Sequence, residues 1–177
     1  MNPELEKLLQ SFDRATRGMS PEQLQWLPPE LREQKKWCVA QILEHLSLTY
    51  SGTERVMRNL AASGACKATG LSIRQRLGIF VVLDLGYLPG GREAPDRVVP
   101  RSANPDTVVR AMHDNLIAMD KALSECERCF GSRVKIADHP VLGALTVAQW
   151  RRFHAVHGRH HLRQIESLKQ RRGVAPG

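Results

Sequence analysis

FHAVHGRHHLRQI, residues 153–165, holds four of the chain's seven histidines, His154, His157, His160 and His161, within eight positions. Whether they are ligands, a basic surface or packing decides how the rest of the chain is read. An α-helix advances about 100° per residue. Counted from Trp150, the residues Phe153, His154, His157, His161, Gln164, Ile165 and Leu168 fall in a sector roughly 120° wide. Arg151, Arg152, Arg159, Arg163 and Lys169 fall outside it. The aromatic and aliphatic members mark the core side, and the arginines mark the solvent side. His157 and His161 therefore belong to the apolar stripe, one turn apart, and are expected to face the interior. His154 shares that face one turn earlier, while His160 lies toward the edge.

The punctuation around this stretch divides the chain into helices. Thr146-Val147-Ala148-Gln149 is a capping box, so the last long helix starts there and runs to about Arg172, before Gly173. Asn104-Pro105 reads as an N-cap followed by proline at the first helical position, opening a helix whose stripe is Val108, Met112, Leu116, Met119 and Leu123. A helix from about Lys35 to Ala62 carries Trp37, Ala40, Leu43, Tyr50, Met57 and Leu60 on one face, with His45 at its middle and Gly64 at its end. Residues 3–18 place Leu5, Leu8, Leu9 and Phe12 at helical spacing. Ser20-Pro21-Glu22-Gln23 starts a short turn that Pro28-Pro29 ends.

Residues 65–103 are irregular apart from a short apolar helix from about Ser72 to Leu85. This is too long for an ordinary connection and reads as a structured crossover or a lid. Gly131 to Ala144 reads as a loop, and no strand-length alternation stands out. The expected fold is all-α: a four-helix bundle with long crossover connections, forming a single domain over residues 1–177.

Composition narrows the functional classes. The chain has 177 residues, 42% of them hydrophobic, enough for a hydrophobic core. No apolar run approaches the roughly 20 residues needed to span a bilayer, and the N-terminus does not read as a signal peptide. A cytoplasmic location is expected, with the four cysteines reduced. Cys126-x-x-Cys129 is a lone CxxC, read as one buried and one terminal helix residue. The formal net charge of +8 raises nucleic acid as a partner. However, the basic residues are spread along the chain with no interleaved aromatics, so they read as solvated helix faces. Neither a specific nucleic acid nor a membrane is expected as a partner. A homodimer is expected through apolar residues Ile79 to Val82.

Two interior imidazoles one turn apart need an explanation, because burying an unpartnered polar group costs a few kcal/mol. Spacing of i, i+4 lets both nitrogens converge on one ion. A third ligand must come from elsewhere: His45 is the better candidate and His113 the fallback. The competing reading gives each histidine its own hydrogen-bond partner.

Three stretches resemble one family. WCVAQILEHL (37–46) looks like a second-helix motif with Trp followed eight residues on by His. HPVLGALTVAQW (139–150) looks like an entry into the last helix, and HGRHHLRQI (157–165) looks like an HxxxH ligand motif. In this order they resemble the DinB-like superfamily. It includes YfiT-type metal-dependent hydrolases, bacillithiol transferases and mycothiol-dependent maleylpyruvate isomerases. The resemblance implies His45, His157 and His161 as ligands of a divalent metal, nickel or zinc. His139 is expected to shape its loop, and His154 to neighbour the site.

A three-histidine site with open positions suits either hydrolysis of a small-molecule substrate or transfer to a low-molecular-weight thiol cosubstrate. No general base declares itself: helix phase turns Glu44 away from His45 and sets Glu166 about 140° from His161. No catalytic residue is assigned on this reading. The alternative is a non-catalytic metal-binding or stress-response bundle.

Overall fold

The computed structural model describes residues 1–88, 94–101 and 103–173. Residues 89–93 and 102 of the expected crossover lie outside them, as do residues 174–177. Among the described residues the chain is mostly helical, with seven α-helices and one two-stranded hairpin. The helices are α1 (Pro3–Thr16), α2 (Pro21–Gln25), α3 (Pro29–Glu33), α4 (Val39–Ser63), α5 (Ile73–Ile79), α6 (Val108–Phe130) and α7 (Val147–Arg172). A π-helical turn, Phe80–Asp84, prolongs α5, and a 3-10 turn, Asp96–Val98, lies in the crossover.

Local chemistry explains most boundaries. Asn2 caps α1 by accepting the backbone N–H groups of Glu4 and Leu5. The Ser20–Gln23 and Thr146–Gln149 boxes open α2 and α7 as their spacing predicts. Two boundaries differ from expectation. Helix α4 begins at Val39 rather than near Lys35, because Lys35 adopts a left-handed conformation (φ 54°) that closes α3. The N–H groups of Lys35 and Lys36 return to the carbonyls of Arg32 and Leu31, each at 2.9 Å. Helix α6 begins at Val108 rather than at Asn104. The Asn104 side chain accepts from Asp106 N–H at 3.0 Å, and its carbonyl accepts from Thr107 and Val108, so a turn precedes the helix.

The segment read as a loop contains an antiparallel hairpin, β1 (Lys135–His139) and β2 (Gly143–Thr146). A register shift between Lys135 and Ala137 lets the consecutive residues Ile136 and Ala137 both be buried. That bulge erases the period-two alternation by which a strand is recognised. At the turn, Gly143 has φ +71°, and a Cβ there would lie 2.7 Å from Leu71 and Gln75 side-chain atoms. Only glycine fits.

The long helices bury their stripes against one another: α4 packs on α6, α1 on α7, and α7 also meets α4 and α6. Leu5 and Phe12 of α1, Leu43 and Tyr50 of α4, and Leu116 and Leu123 of α6 are fully buried at the centre. Each of these leucines, and Phe12, is worth about 1.5–3 kcal/mol of burial. Gly158, inside α7, lies against α1: a Cβ at that position would meet Leu8 Cδ2 at 2.4 Å.

The arginine face of α7 is not simply solvated. Arg151 is largely buried and donates to Asp120 at 2.8 Å, to Glu127 at 2.7 Å and to Ser124 at 2.7 Å. Asp120 also accepts from the backbone N–H of Asn2 at 2.7 Å, so α6, α7 and the start of α1 share one network. Arg152 and Arg159 both reach Glu4. Helix phase assigns a face, but it cannot show that a neighbouring helix covers part of it.

The patch proposed at Ile79 to Val82 is also revised. Val82 is buried and Ile79 packs on the core. Within the π-helical turn Val82 and Leu83 face inward and Phe80 faces out. The exposed apolar side chains here are Ile73, Leu77 and Phe80, at i, i+4 and i+7, together with Leu85 and Tyr87.

Candidate metal centre

Helix α4 supplies His45 and helix α7 supplies His157 and His161; all three are buried. His45 Nε2 lies 3.2 Å from His157 Nε2, and His161 Nε2 lies 3.0 Å from the same atom. The three ligand atoms lie within 4.8 Å of one another. The structure thus brings together the three histidines singled out in the sequence.

The outer nitrogens decide what the inner ones can do. His45 Nδ1 is 2.8 Å from the carbonyl oxygen of Val98. A carbonyl only accepts, so Nδ1 carries the proton and Nε2 presents a lone pair. His161 Nδ1 lies 2.8 Å from Gln164 Oε1 and donates to it in the same way. Gln164 is oriented by its own amide nitrogen, which is 3.2 Å from His160 Nε2. Two lone pairs therefore face His157 Nε2, which can answer at most one of them with a proton. His157 Nδ1, buried, has no hydrogen-bond partner.

A cation at the centre satisfies all three nitrogens at once. Four-coordinate zinc with bonds of about 2.0–2.1 Å sets its ligand nitrogens about 3.3 Å apart, close to the two separations seen. The imidazoles are also in the required charge state. Burial holds His45 below the ordinary histidine value, with the Val98 carbonyl opposing. Burial, then the charge of His45, pushes His161 down to about 3. Burial, then its histidine neighbours, holds His157 well below the ordinary value. Neutral imidazoles are what a metal ion binds.

Apolar rings wall the site. Trp37 lies over His45, with ring centroids 4.9 Å apart, and stacks at 6.4 Å on His161. Phe153 stacks on His157 at 5.6 Å. Among the described residues no carboxylate joins the histidine cluster. Glu44 turns to the crossover, where it accepts from the backbone N–H of Arg101 at 3.1 Å, and Glu166 is exposed.

The other histidines take separate roles. His154, fully buried, pairs through Nε2 with Thr53 at 3.1 Å and packs edge-on against Tyr50. His160 sits half-buried at the rim beside Gln164. His113 is not brought to the site: its Nε2 lies 2.8 Å from Asp13 on α1. His139 shapes the hairpin turn, with Nδ1 accepting from the N–H groups of Val141 and Leu142 at 3.2 Å each. Of the CxxC pair, Cys126 is buried, with its thiol bonded to the Met57 carbonyl, and Cys129 is exposed.

The sequence reading missed two supports of the site. Gln164 lies in the histidine sector, three residues after His161, but its place in that sector alone assigns it no role. The Val98 carbonyl leaves no side-chain signature, and its approach depends on how the crossover folds.

Fold and site together define a mostly helical protein with three inward-facing imidazoles drawn from two of its long helices. The chain matches the DinB superfamily over residues 4–165 and belongs to it. No curated protein and no solved structure matches it at a significant level. No helix among the described residues is long and apolar enough to cross a membrane.

Proposed function

We propose that this chain, a single-domain four-helix bundle of the cytoplasm, binds one divalent ion, zinc or nickel, through Nε2 of His45, His157 and His161. We read it as a metal-dependent enzyme acting on a small molecule. The observation that carries this reading is the convergence of three neutral imidazoles, two of them with their outer nitrogens held. The bound ion supplies Lewis acidity, which suits the activation of a thiol or a water. The chain's own residues contribute orientation and shelter. Val98 and Gln164 hold two imidazoles with their lone pairs inward, and Trp37 and Phe153 keep water from the ligand rings. Three neutral ligands leave the ion's charge uncompensated, so it favours an anionic ligand such as a thiolate.

S-transfer to a low-molecular-weight thiol is the reaction that fits best. It needs a base less than hydrolysis does, and no carboxylate joins the histidines among the described residues. The test is metal content by mass spectrometry after purification, followed by cobalt substitution. One ion per chain is expected, lost in His157→Ala, with a thiol-to-cobalt charge-transfer band on adding a thiol. Stoichiometric metal in His157→Ala would overturn the site. Ester or amide turnover without any thiol effect would favour the hydrolase.

We further propose that a second copy covers Ile73, Leu77 and Phe80. Leu77→Glu is then expected to convert a sedimenting dimer to monomer, and a monomeric wild type refutes the proposal.

A further inference from the structure

A second feature begins one helical turn before His45 in the chain. An open cleft of about 450 Å³, within the size range of small-molecule sites, lies at the N-terminal end of α4. Three cations line it, Arg32, Lys36 and Arg101, together with Cys38 and Gln41. Among the described residues that line it there is no carboxylate. Elsewhere Arg58, Arg128, Arg151, Arg152, Arg159 and Arg171 each pair with a carboxylate. Among the described residues, the side chains of Arg32, Lys36 and Arg101 form no such ion pair, although the Glu44 carboxylate accepts from the backbone N–H of Arg101 at 3.1 Å. Three like charges around one concavity repel one another, and an anion in the cleft relieves that repulsion. The positive end of the 25-residue α4 points the same way.

The cleft shares α4 and the crossover with His45 and its Val98 support, while His157 and His161 come from α7. Gln41 lines the cleft and His45 follows it by one turn, about 6 Å along the axis. Arg101 follows Val98, whose carbonyl holds His45, by three residues. Trp37, which packs on His45 and His161, sits in the chain between the cleft residues Lys36 and Cys38. Cys38 is a buried wall of this cleft rather than a nucleophile, since burial raises its thiol above the ordinary value.

We propose that this cleft binds the anionic end, carboxylate or phosphate, of the small molecule whose other end reaches the three histidines. The part concerning the histidines rests on the function proposed above; the cleft itself does not. Arg32 and Arg101 give the forked donors that match such oxygens, and Lys36 adds a point charge.

The experiment is calorimetric titration of inorganic phosphate and of succinate into metal-free protein at fixed ionic strength. Saturable binding is expected, and the tighter of the two probes identifies the headgroup chemistry. Arg32→Gln/Arg101→Gln is expected to weaken binding by at least about tenfold, the loss of a charge-assisted hydrogen bond. Arg55→Gln/Arg133→Gln makes the same change in net charge on exposed residues away from the cleft and is expected to leave binding unaltered. Absence of saturable binding, or equal weakening in both double variants, overturns the proposal. Cobalt stoichiometry, measured in parallel, separates the two ideas. Anion binding without cobalt removes the histidine site and keeps the cleft. Cobalt binding without anion binding removes the cleft alone.

Discussion

Gln164 accepts the Nδ1 proton of His161 and gives its own amide N–H to His160, so it fixes which nitrogen of His161 faces His157. It is exposed and leaves the core untouched when removed. Outer partners of this kind are worth about 10- to 100-fold in metal affinity. Gln164→Ala is therefore expected to weaken zinc binding by that factor, measured by competition with a chromophoric chelator, while the metal-free melting temperature stays put. Unchanged affinity would mean that the bond does not orient the ring. Two further histidines set a pH response. Burial, then the charge of Arg97, pushes His139 down to about 4. Burial, then the charge of His139, pushes His154 down to about 3. Above the unfolded value of 6.5, neither state binds these protons, and the groups add no pH dependence. Below it the unfolded chain takes up protons that the folded chain refuses, so stability falls as pH drops from 6.5 toward 4. The buried metal-site imidazoles add in the same direction when no metal is bound. Urea unfolding of the metal-free protein at pH 7, 5.5 and 4.5 is expected to show a steadily lower midpoint, and a flat profile would refute this account.

Helix α7 contains one residue that weakens it in isolation. Glycine inside a helix costs about 1 kcal/mol relative to alanine, yet Gly158 sits mid-helix against α1, with Leu8 filling the space a Cβ would take. Gly158→Ala, stabilising on an exposed helix, is expected here to destabilise by about 1–3 kcal/mol through overpacking. Leu8→Ala in the same chain should restore part of that loss, because the two changes share one contact. Additive losses in urea unfolding would show that Leu8 is not the obstacle. The same helix shows what a sequence can reveal. Its capping box, its apolar stripe and the inward phase of His157 and His161 are local properties, set by residues within a few positions of one another. They were legible for that reason. The hairpin was not, because its bulge buries adjacent residues and breaks the alternation. The start of α4 was misplaced because Lys35 takes a conformation usually left to glycine. The burial of Arg151 and the reach of the Val98 carbonyl depend on elements more than 20 residues away in the chain. No helical wheel contains them.

Across the whole molecule the histidine site joins helices that otherwise have different principal partners. α4 packs chiefly on α6 and α1 chiefly on α7, while α7 reaches α6 through Arg151 and its two carboxylate partners. His45 on α4 and His157 with His161 on α7 meet over 112 residues of chain. An ion held by all three therefore favours the folded arrangement over the unfolded chain, where His45 is far from the other two. Its contribution to stability follows from mass action: about 2.7 kcal/mol when free metal is 100 times its dissociation constant. Each further tenfold in metal should add about 1.4 kcal/mol. The melting temperature of wild type is thus expected to climb with zinc or nickel concentration and to return to its starting value with a chelator. His157→Ala should melt at one temperature whatever the metal concentration. Because His157 is the nitrogen that both other ligands face, its removal leaves the remaining two without a common centre. A parallel rise in wild type and His157→Ala would place the stabilising metal elsewhere, at exposed side chains. A metal-independent melting temperature in wild type would show that the histidines hold the two helices together by hydrogen bonds alone.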